Sequence, residues 1–343
     1  MKKISICECS EADEIRVLTP KQNIYSLYSV EQISDIINYL KIHHEVPRQY
    51  NYFDKGAKSW DEYVKRLAIE NAENTLRSTI ELLRISESYI DSLLDDYSSV
   101  NIIDVGSGNA YPVRNILSSL LNSGKLNRYI ALDISPSMLE LAKNNIRTWF
   151  GDDVVFEGYE YDVTKGGFSS LIGGKHSNDI NLILLLGGTL SNMRYPNKAY
   201  KAIHDSMSAN DISIHVNKLD TEVNRKYFDF NMPDNMQLSP NHKLIFELLN
   251  IDETLYDVEM GYDAMIRERY IRVRLRVTIR IEFILKNEKR DVSIQKGDTI
   301  LLWRGIHHTK DSIINQFDGN NFSLKRTYQT ENQDYILTMS YIK

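Results

Sequence analysis

From Asn101 to about residue 216, short apolar runs alternate with amphipathic stretches. The apolar runs read as strands at 101–105, 129–134 (YIALDI), 154–160 (VVFEGYE), 179–186 (DINLILLL) and 211–216 (DISIHV). Three- and four-residue spacings predict helices at 111–122, 137–148 and 196–208. Such alternation predicts a parallel sheet covered on both faces. Upstream, Ser29-Val-Glu-Gln opens a helix with Ile33, Ile36, Ile37 and Leu40 on one side, and the chain reads helical from Ser59 to Leu94. Downstream the pattern changes. A polar, Pro- and Asn-rich passage over 217–260 holds one short helical run, Leu244–Leu249. Glu268–Leu285 then alternates strictly, Ile271, Val273, Leu275, Val277, Ile279, Ile281 and Phe283 against polar neighbours, which predicts one long half-buried strand. Asn287-Glu288-Lys289-Arg290 should turn it into a second, Val292–Trp303. The end of the chain reads as a helix at Lys310–Phe317 and strands at Phe322–Tyr328 and Tyr335–Ile342.

The polar side of the long alternating run carries Arg272, Arg274, Arg276 and Arg280, a stripe that suits either a solvated strand face with acidic cross-strand partners or a phosphate-tracking face. Composition favours the former: a net charge of −6 does not describe a nucleic-acid binder. With 343 residues, 42% hydrophobic and 26% charged, the chain has length for one large domain or two. Cys7 and Cys9 have no nearby histidine and read as reduced thiols rather than a zinc site. His43 and His44 complement a helix C-terminus, and His307 with His308 read as a paired surface feature or, alternatively, a base. No metal is expected. Acidic residues interrupt the N-terminal stretch, so no signal peptide is read, and no apolar run reaches the ~20 residues of a membrane span. A cytoplasmic protein is the expectation.

Chemistry concentrates in Asn101–Asn109, NIIDVGSGN. Strand, glycine turn, helix is an arrangement that sets a nucleotide-bearing ligand against backbone N–H groups and a positive helix end. In Gly106-Ser107-Gly108-Asn-Ala-Tyr111 the third glycine of a dinucleotide fingerprint is missing, and no Gly-Lys-Ser/Thr makes a phosphate loop. Asp104, two residues before Gly106, would repel a pyrophosphate but suits an ammonium group. Asp133 ends the second strand, 25 residues beyond Gly108, where a carboxylate accepts ribose hydroxyls; Asp162 ends the third, within reach of an adenine amino group. Each acid alone reads better as a helix cap or turn residue. Together they describe an adenosine ligand without phosphates, which S-adenosylmethionine fits. The cofactor set is then Asp104, Gly106, Ser107, Gly108, Asp133, Ile134, Asp162, Val163, Leu186 and Gly187. Tyr52, Phe53 and Trp60 in the aromatic stretch 50–63 suit either a core edge or a substrate pocket.

Read together, DVGSGN…YIALDIS…YDV…LLLGGTLSN resembles the histidine-specific Nα-methyltransferases of ergothioneine biosynthesis, and Tyr52-Phe-Asp-Lys-Gly-Ala resembles their YD-x-x-G-S segment loosely. The resemblance implies a class I methyltransferase: α/β, a Rossmann-like doubly wound sheet with an antiparallel last strand. It also implies a second α+β domain from the N-terminal segment and an insertion after the fifth strand. The expected division is 1–60 (helical, contributing to a substrate or lid domain), 61–216 (cofactor-binding core), 217–306 (inserted substrate domain) and 307–343 (return to the core sheet). By resemblance Asn192 contacts an α-amino group, a tyrosine early in the insertion (Tyr227, with Phe228 beside it) holds the substrate, and Thr189 helps orient it.

Two departures stand out. Trp303 and Gly305 occupy the places of the glutamate and serine that recognise the imidazole, and Pro112 stands where a basic residue is usual. Trp303 and Gly305, with His307, complete the expected substrate pocket. The expected activity is methyl transfer from S-adenosylmethionine, leaving S-adenosylhomocysteine, to the amino nitrogen of a small amino-acid-like molecule of specialised metabolism other than histidine. O-methylation and a non-enzymatic cofactor-binding partner subunit are the alternatives; no nucleic acid or membrane partner is expected, and the oligomeric state is left open.

Overall fold

The computed structural model describes residues 15–70, 74–174, 176, 178–222 and 237–343. Cys7, Cys9, Tyr227 and Phe228 lie outside them. The chain forms two compact units, one from residues 1–47, 243–259 and 271–302, the other from 48–242, 260–270 and 303–343.

The larger unit is built on seven strands: β2 (Ser99–Val105), β3 (Leu126–Asp133), β4 (Phe156–Glu160), β5 (Asp179–Leu185), β6 (Ile212–Lys218), β12 (Phe322–Gln329) and β13 (Tyr335–Ile342). Their order is β12-β13-β6-β5-β2-β3-β4. β2, β3, β4, β5 and β6 run parallel, and β13 inserts antiparallel between β6 and β12. From β2 the chain winds first toward β4 and then back through β5 to β6. The switch point therefore falls between β2 and β5, where sheets of this kind bind ligands at their carboxyl edge. Both faces are covered. Helices Thr75–Leu94, Arg114–Asn122 and Pro136–Phe150 bury Leu82, Leu117 and Ala142 against Ile102, Leu182 and Ile214. On the other face, Pro196–Ser206 and Lys310–Gly319 bury Tyr200, Ile203 and Phe317 against Ile103, Ile130 and Ile183. The core is α/β and doubly wound with an antiparallel last strand, as the pattern and the resemblance imply.

The smaller unit contains the sheet β1-β9-β10, from β1 (Ile15–Leu18), β9 (Thr278–Leu285) and β10 (Glu288–Ile294). Ser29 caps the helix Val30–His43 through a reciprocal capping box with Gln32, and Ile33, Ile36, Ile37 and Leu40 are its buried face. β1, only four residues long, went unread in the sequence. A third sheet, β11-β8-β7, joins β7 (Tyr256–Asp263), β8 (Glu268–Leu275) and β11 (Thr299–Ile306); its residues are divided between the two units.

The expected single strand Glu268–Leu285 is thus corrected to two, β8 and β9, in different sheets. The bend at Arg276–Val277 faces the Gln295–Asp298 turn that separates β10 from β11: Leu275 donates to the Asp298 carbonyl at 3.0 Å, and Gly297 to that of Leu275 at 2.8 Å. Leu275 and Ile279 stay buried on either side, so side-chain parity survives the bend and the alternation hides it. The arginine stripe has acidic partners: Arg272 and Arg274 share Glu259 at 2.7 and 2.5 Å, and Arg276 pairs with Asp257. Among the described residues, no helix is long and apolar enough to cross a membrane.

Candidate active site

At the carboxyl edge of the larger unit, the turn after β2 needs glycine for two reasons. Gly106 has φ +70°, and a Cβ there would stand 2.8 Å from Thr189 Oγ1. Gly108 has φ +53° and faces the Trp60 indole Nε1, 3.8 Å from where its Cβ would be. The turn is pinned to the second strand by Gly106 N–H donating to the Leu132 carbonyl at 2.8 Å. Asp133 fixes it from the side: its carboxylate accepts from Gly108 N–H at 3.0 Å and from Ser135 N–H at 2.9 Å. Ser135 in turn caps the helix Pro136–Phe150 through Met138 N–H, with Ile134 between cap and acid. Ser107, between the glycines, has a buried hydroxyl without a hydrogen-bond partner among the described residues.

Asp104 is 3% exposed and accepts the Tyr129 hydroxyl at 2.8 Å. Burial pushes its carboxyl up to about 7, Tyr129 pulls the other way, and nearby Asp133 pushes it further up. Asp133 is itself raised to about 6 by burial against the pull of the Ser135, Gly108 and Ile134 N–H groups. Asp162, beyond β4, caps the turn Val163–Lys165 by accepting the Thr164 N–H at 2.9 Å.

The segment upstream of the core closes on this turn. Ser135 Oγ donates to the Tyr52 carbonyl at 2.6 Å, and Asp54 N–H to Ser137 Oγ at 3.1 Å. Tyr52 meets Trp60 edge-on with ring centres 5.5 Å apart, while Phe53 is buried against Tyr50. Asp61, fully paired, accepts Asn109 Nδ2 at 2.8 Å and Lys65 Nζ at 2.6 Å. Asn51, 0% exposed, has both amide atoms without a partner among the described residues. Neither Asn51 nor Asp61 carries a sequence pattern that sets it apart.

Beyond β5, Leu186 is buried, Gly187 is exposed and Gly188 has φ +71°. Ser191 Oγ donates to the Gly188 carbonyl at 2.6 Å, curling the chain into the short turn Leu190–Asn192. Asn192 ends that turn half-buried, its amide making no side-chain hydrogen bond among the described residues. Thr189 and Gly106, 83 positions apart in sequence, thereby meet at the switch point.

Trp303, Gly305 and His307 lie at the end of β11. The Trp303 ring rests on Gly305, where a Cβ would come within 2.6 Å of it, and the Arg269 guanidinium covers the ring at 5.3 Å from its centre. The two histidines expected at the surface are buried instead, His307 at 3% and His308 at 8% exposure. Their backbone explains it: His308 N–H donates to the Lys218 carbonyl and Asp220 N–H to the His308 carbonyl, fastening them beside β6. Burial, with Lys218 and Arg269 close by, lowers His307 to about 3; burial alone lowers His308 to about 4. Both are neutral and weak as bases. Lys218, the last residue of β6, and Asp220 just beyond it were not singled out in the sequence, although the carboxyl-edge rule points to this strand end.

A family profile described as "Histidine-specific methyltransferase, SAM-dependent" matches residues 32–341. The chain belongs to this family. It is a methyltransferase dependent on S-adenosylmethionine. Among solved structures, this methyltransferase is similar to an S-adenosylmethionine-dependent methyltransferase from Clostridium acetobutylicum ATCC 824, at 10% identity and a TM-score of 0.45 over 83% of this chain and 98% of that one. It is also similar to the PH0226 protein from Pyrococcus horikoshii OT3, at 12% identity and 0.43 over 76% and 90%. A glycopeptide N-methyltransferase, MtfA, complexed with S-adenosylmethionine matches at 10% and 0.39 over 75% and 93%. No curated protein matches the methyltransferase significantly.

Proposed function

We propose that this methyltransferase acts on the amino nitrogen of a small, amino-acid-like acceptor other than histidine. The observation that carries the reading is the Asn192 amide, half-buried and uncommitted to any other side chain among the described residues, on the loop that also brings Thr189 against the glycine turn. A neutral amide can accept an amine N–H without favouring the charged ammonium, and only the neutral amine has a lone pair to attack with. Trp303 supports the exclusion of histidine, since an indole face resting on glycine offers an imidazole no hydrogen-bond partner.

The turn also fits the cofactor. A buried hydroxyl at Ser107, between two glycines and without a partner among the described residues, suits a polar ligand group. Asp133, Ile134, Asp162 and Val163 would hold the adenosine part, and Asp104, Gly106, Ser107 and Gly108 the amino-acid part, with Leu186 and Gly187 alongside. S-adenosylmethionine supplies an electrophilic methyl group on a sulphonium. Thr189 and Asn192 orient the acceptor, and alignment at near-attack distance is worth ~7–11 kcal/mol of barrier. Tyr52 and Trp60 keep water from the cradle, and Tyr227 and Phe228 are proposed to hold the acceptor from the insertion.

Two buried carboxyls beside a cation give this binding a pH dependence. Both folded-state values, about 7 for Asp104 and about 6 for Asp133, lie above the ordinary carboxyl range. The folded protein therefore carries extra protons between about pH 4 and 7, and its stability without ligand falls as pH rises through that window. Cofactor binding runs the other way: the cation favours ionised carboxylates, so affinity should rise from pH 5.5 to 7.5 by roughly tenfold, with proton release. Calorimetry in two buffers of different ionisation enthalpy measures both; an affinity flat across that range would remove these acids from the cofactor's charge balance.

The activity is tested by incubating the protein with S-adenosylmethionine and a panel of amino acids and small amines that includes L-histidine, scanned by mass spectrometry for the gain of one CH₂. Methylation on a nitrogen of a non-histidine member is expected; turnover of L-histidine alone, or of oxygen acceptors alone, overturns the reading.

A further inference from the structure

In the larger unit, the short 3₁₀ turn Arg48–Tyr52 holds a buried charge without a counter-charge. Arg48 is 7% exposed. Its Nε donates to the Tyr52 hydroxyl and its Nη1 to the Asn241 carbonyl, both at 3.1 Å, and its guanidinium lies 4.6 Å from the centre of the Tyr52 ring. All these partners are neutral. Among the described residues, Nη2 has no hydrogen-bond partner and no carboxylate stands within 4 Å of the guanidinium. His242, which Arg48 also influences, is held well below its ordinary range by burial first and then by Arg48, so it stays neutral.

A guanidinium keeps its charge when buried, and a buried charge is ordinarily paired. Asn51 adds a second unmet demand. Three residues on, it falls on the same side of a 3₁₀ turn as Arg48, and its buried amide has neither atom paired among the described residues. Tyr52 supplies a third: its hydroxyl accepts from Arg48, which leaves its own proton to donate.

These groups adjoin the glycine turn. The Tyr52 carbonyl accepts from Ser135 Oγ, and Ser135 N–H shares the Asp133 carboxylate with Gly108 N–H. The Tyr52 ring meets Trp60, whose Nε1 faces Gly108. Both reactants bring a carboxylate here. S-adenosylmethionine carries one at its amino-acid end, and residues 104–113 contain no Lys or Arg to meet it. An amino-acid-like acceptor carries another.

We propose that Arg48, Asn51 and the Tyr52 hydroxyl form a carboxylate subsite, filled by the methionine end of the cofactor or by the acceptor. Nη2, Nδ2 and the phenol O–H are three donors for the two oxygens of one carboxylate. The acceptor as source rests on the amine-methyltransferase reading; the cofactor as source does not.

The test is calorimetric, on the full-length protein, in two arms. The first compares S-adenosylhomocysteine with S-adenosyl-3-thiopropylamine, the same molecule without its carboxylate. The second saturates the protein with S-adenosylhomocysteine and compares L-phenylalanine with phenethylamine, L-tryptophan with tryptamine, and L-ornithine with putrescine. In one arm, Arg48→Met should weaken a carboxylated member about tenfold while changing its decarboxylated partner less than about twofold; which arm responds identifies the source. Arg48→Lys should recover part of that loss, and Asn51→Ala should lose about fivefold in the same arm. Tyr52→Phe keeps the ring and removes one donor, so it reads the same selectivity if Arg48→Met fails to fold. Equal weakening of carboxylated and decarboxylated members, or no selective loss in either arm, overturns the subsite. Failure of the unmutated protein to bind S-adenosylhomocysteine at all would instead overturn the cofactor assignment beneath both arms.

Discussion

Gly106→Ala is expected to weaken S-adenosylhomocysteine binding about 100-fold, through ~1–2 kcal/mol of left-handed backbone strain together with a steric clash. The added methyl would lie 2.8 Å from Thr189 Oγ1 and 3.1 Å from its Cγ2, in a backbone held at φ +70°. Neither escape is neutral. If the turn leaves the left-handed region, the Gly106 N–H leaves the Leu132 carbonyl, and Gly108, which donates to Asp133, moves with it. If Thr189 gives way, the loop carrying Asn192 shifts. Gly124→Ala separates strain from contact, because Gly124 has φ +69° with nothing within 4 Å of its Cβ position. That variant should lose thermal stability while keeping its affinity. Calorimetric titration of both decides the matter: an unchanged dissociation constant for Gly106→Ala would mean that the turn does not cradle the ligand.

How far the sequence led depends on the distance over which each feature is encoded. The order of strands and helices from Asn101 to Lys218 follows from periodicity, because a parallel sheet buried on both faces demands unbroken apolar runs. Its polar exceptions follow from register alone. Asn101 and Asn181 lie opposite each other in β2 and β5, and their amides bond at 2.9 Å deep in the sheet, a pairing that no local pattern announces. The division of Glu268–Leu285 was hidden for the opposite reason: the bend preserves parity, so a strand that changes sheets looks like one that does not. The acids proposed for the cofactor were legible because each stands at or near a strand end at a readable spacing. The burial of the His307-His308 pair could not, since the backbone bonds that fasten His308 beside β6 run to Lys218 and Asp220, about 90 positions upstream. Thr189 was readable as a loop residue but not as the neighbour of Gly106, a contact set by the strand order β5-β2.

Asn192→Ala is expected to lower kcat by roughly 10²–10³ while leaving the S-adenosylhomocysteine dissociation constant within about twofold, because the interaction proposed for its amide orients the acceptor and is not part of the glycine turn. The turn Leu190–Asn192 is closed by backbone bonds from Ser191 to Gly188 and from Asn192 to Thr189, so truncating the amide leaves the loop's own bonds in place. Equal losses of turnover and cofactor affinity would assign Asn192 to the cofactor instead. Asn192→Asp adds a sharper test. A carboxylate in place of the amide would stabilise the ammonium form of an amine acceptor and raise the pH at which it becomes a nucleophile. The pH–rate profile of this variant should therefore shift upward relative to the unmutated enzyme, with turnover partly recovered at alkaline pH, whereas Asn192→Ala should be slow at every pH. Because a carboxylate would equally oppose ionisation of a hydroxyl acceptor, the shift reports that residue 192 stands against the reacting group of the acceptor, and fragmentation of the methylated product tells nitrogen from oxygen.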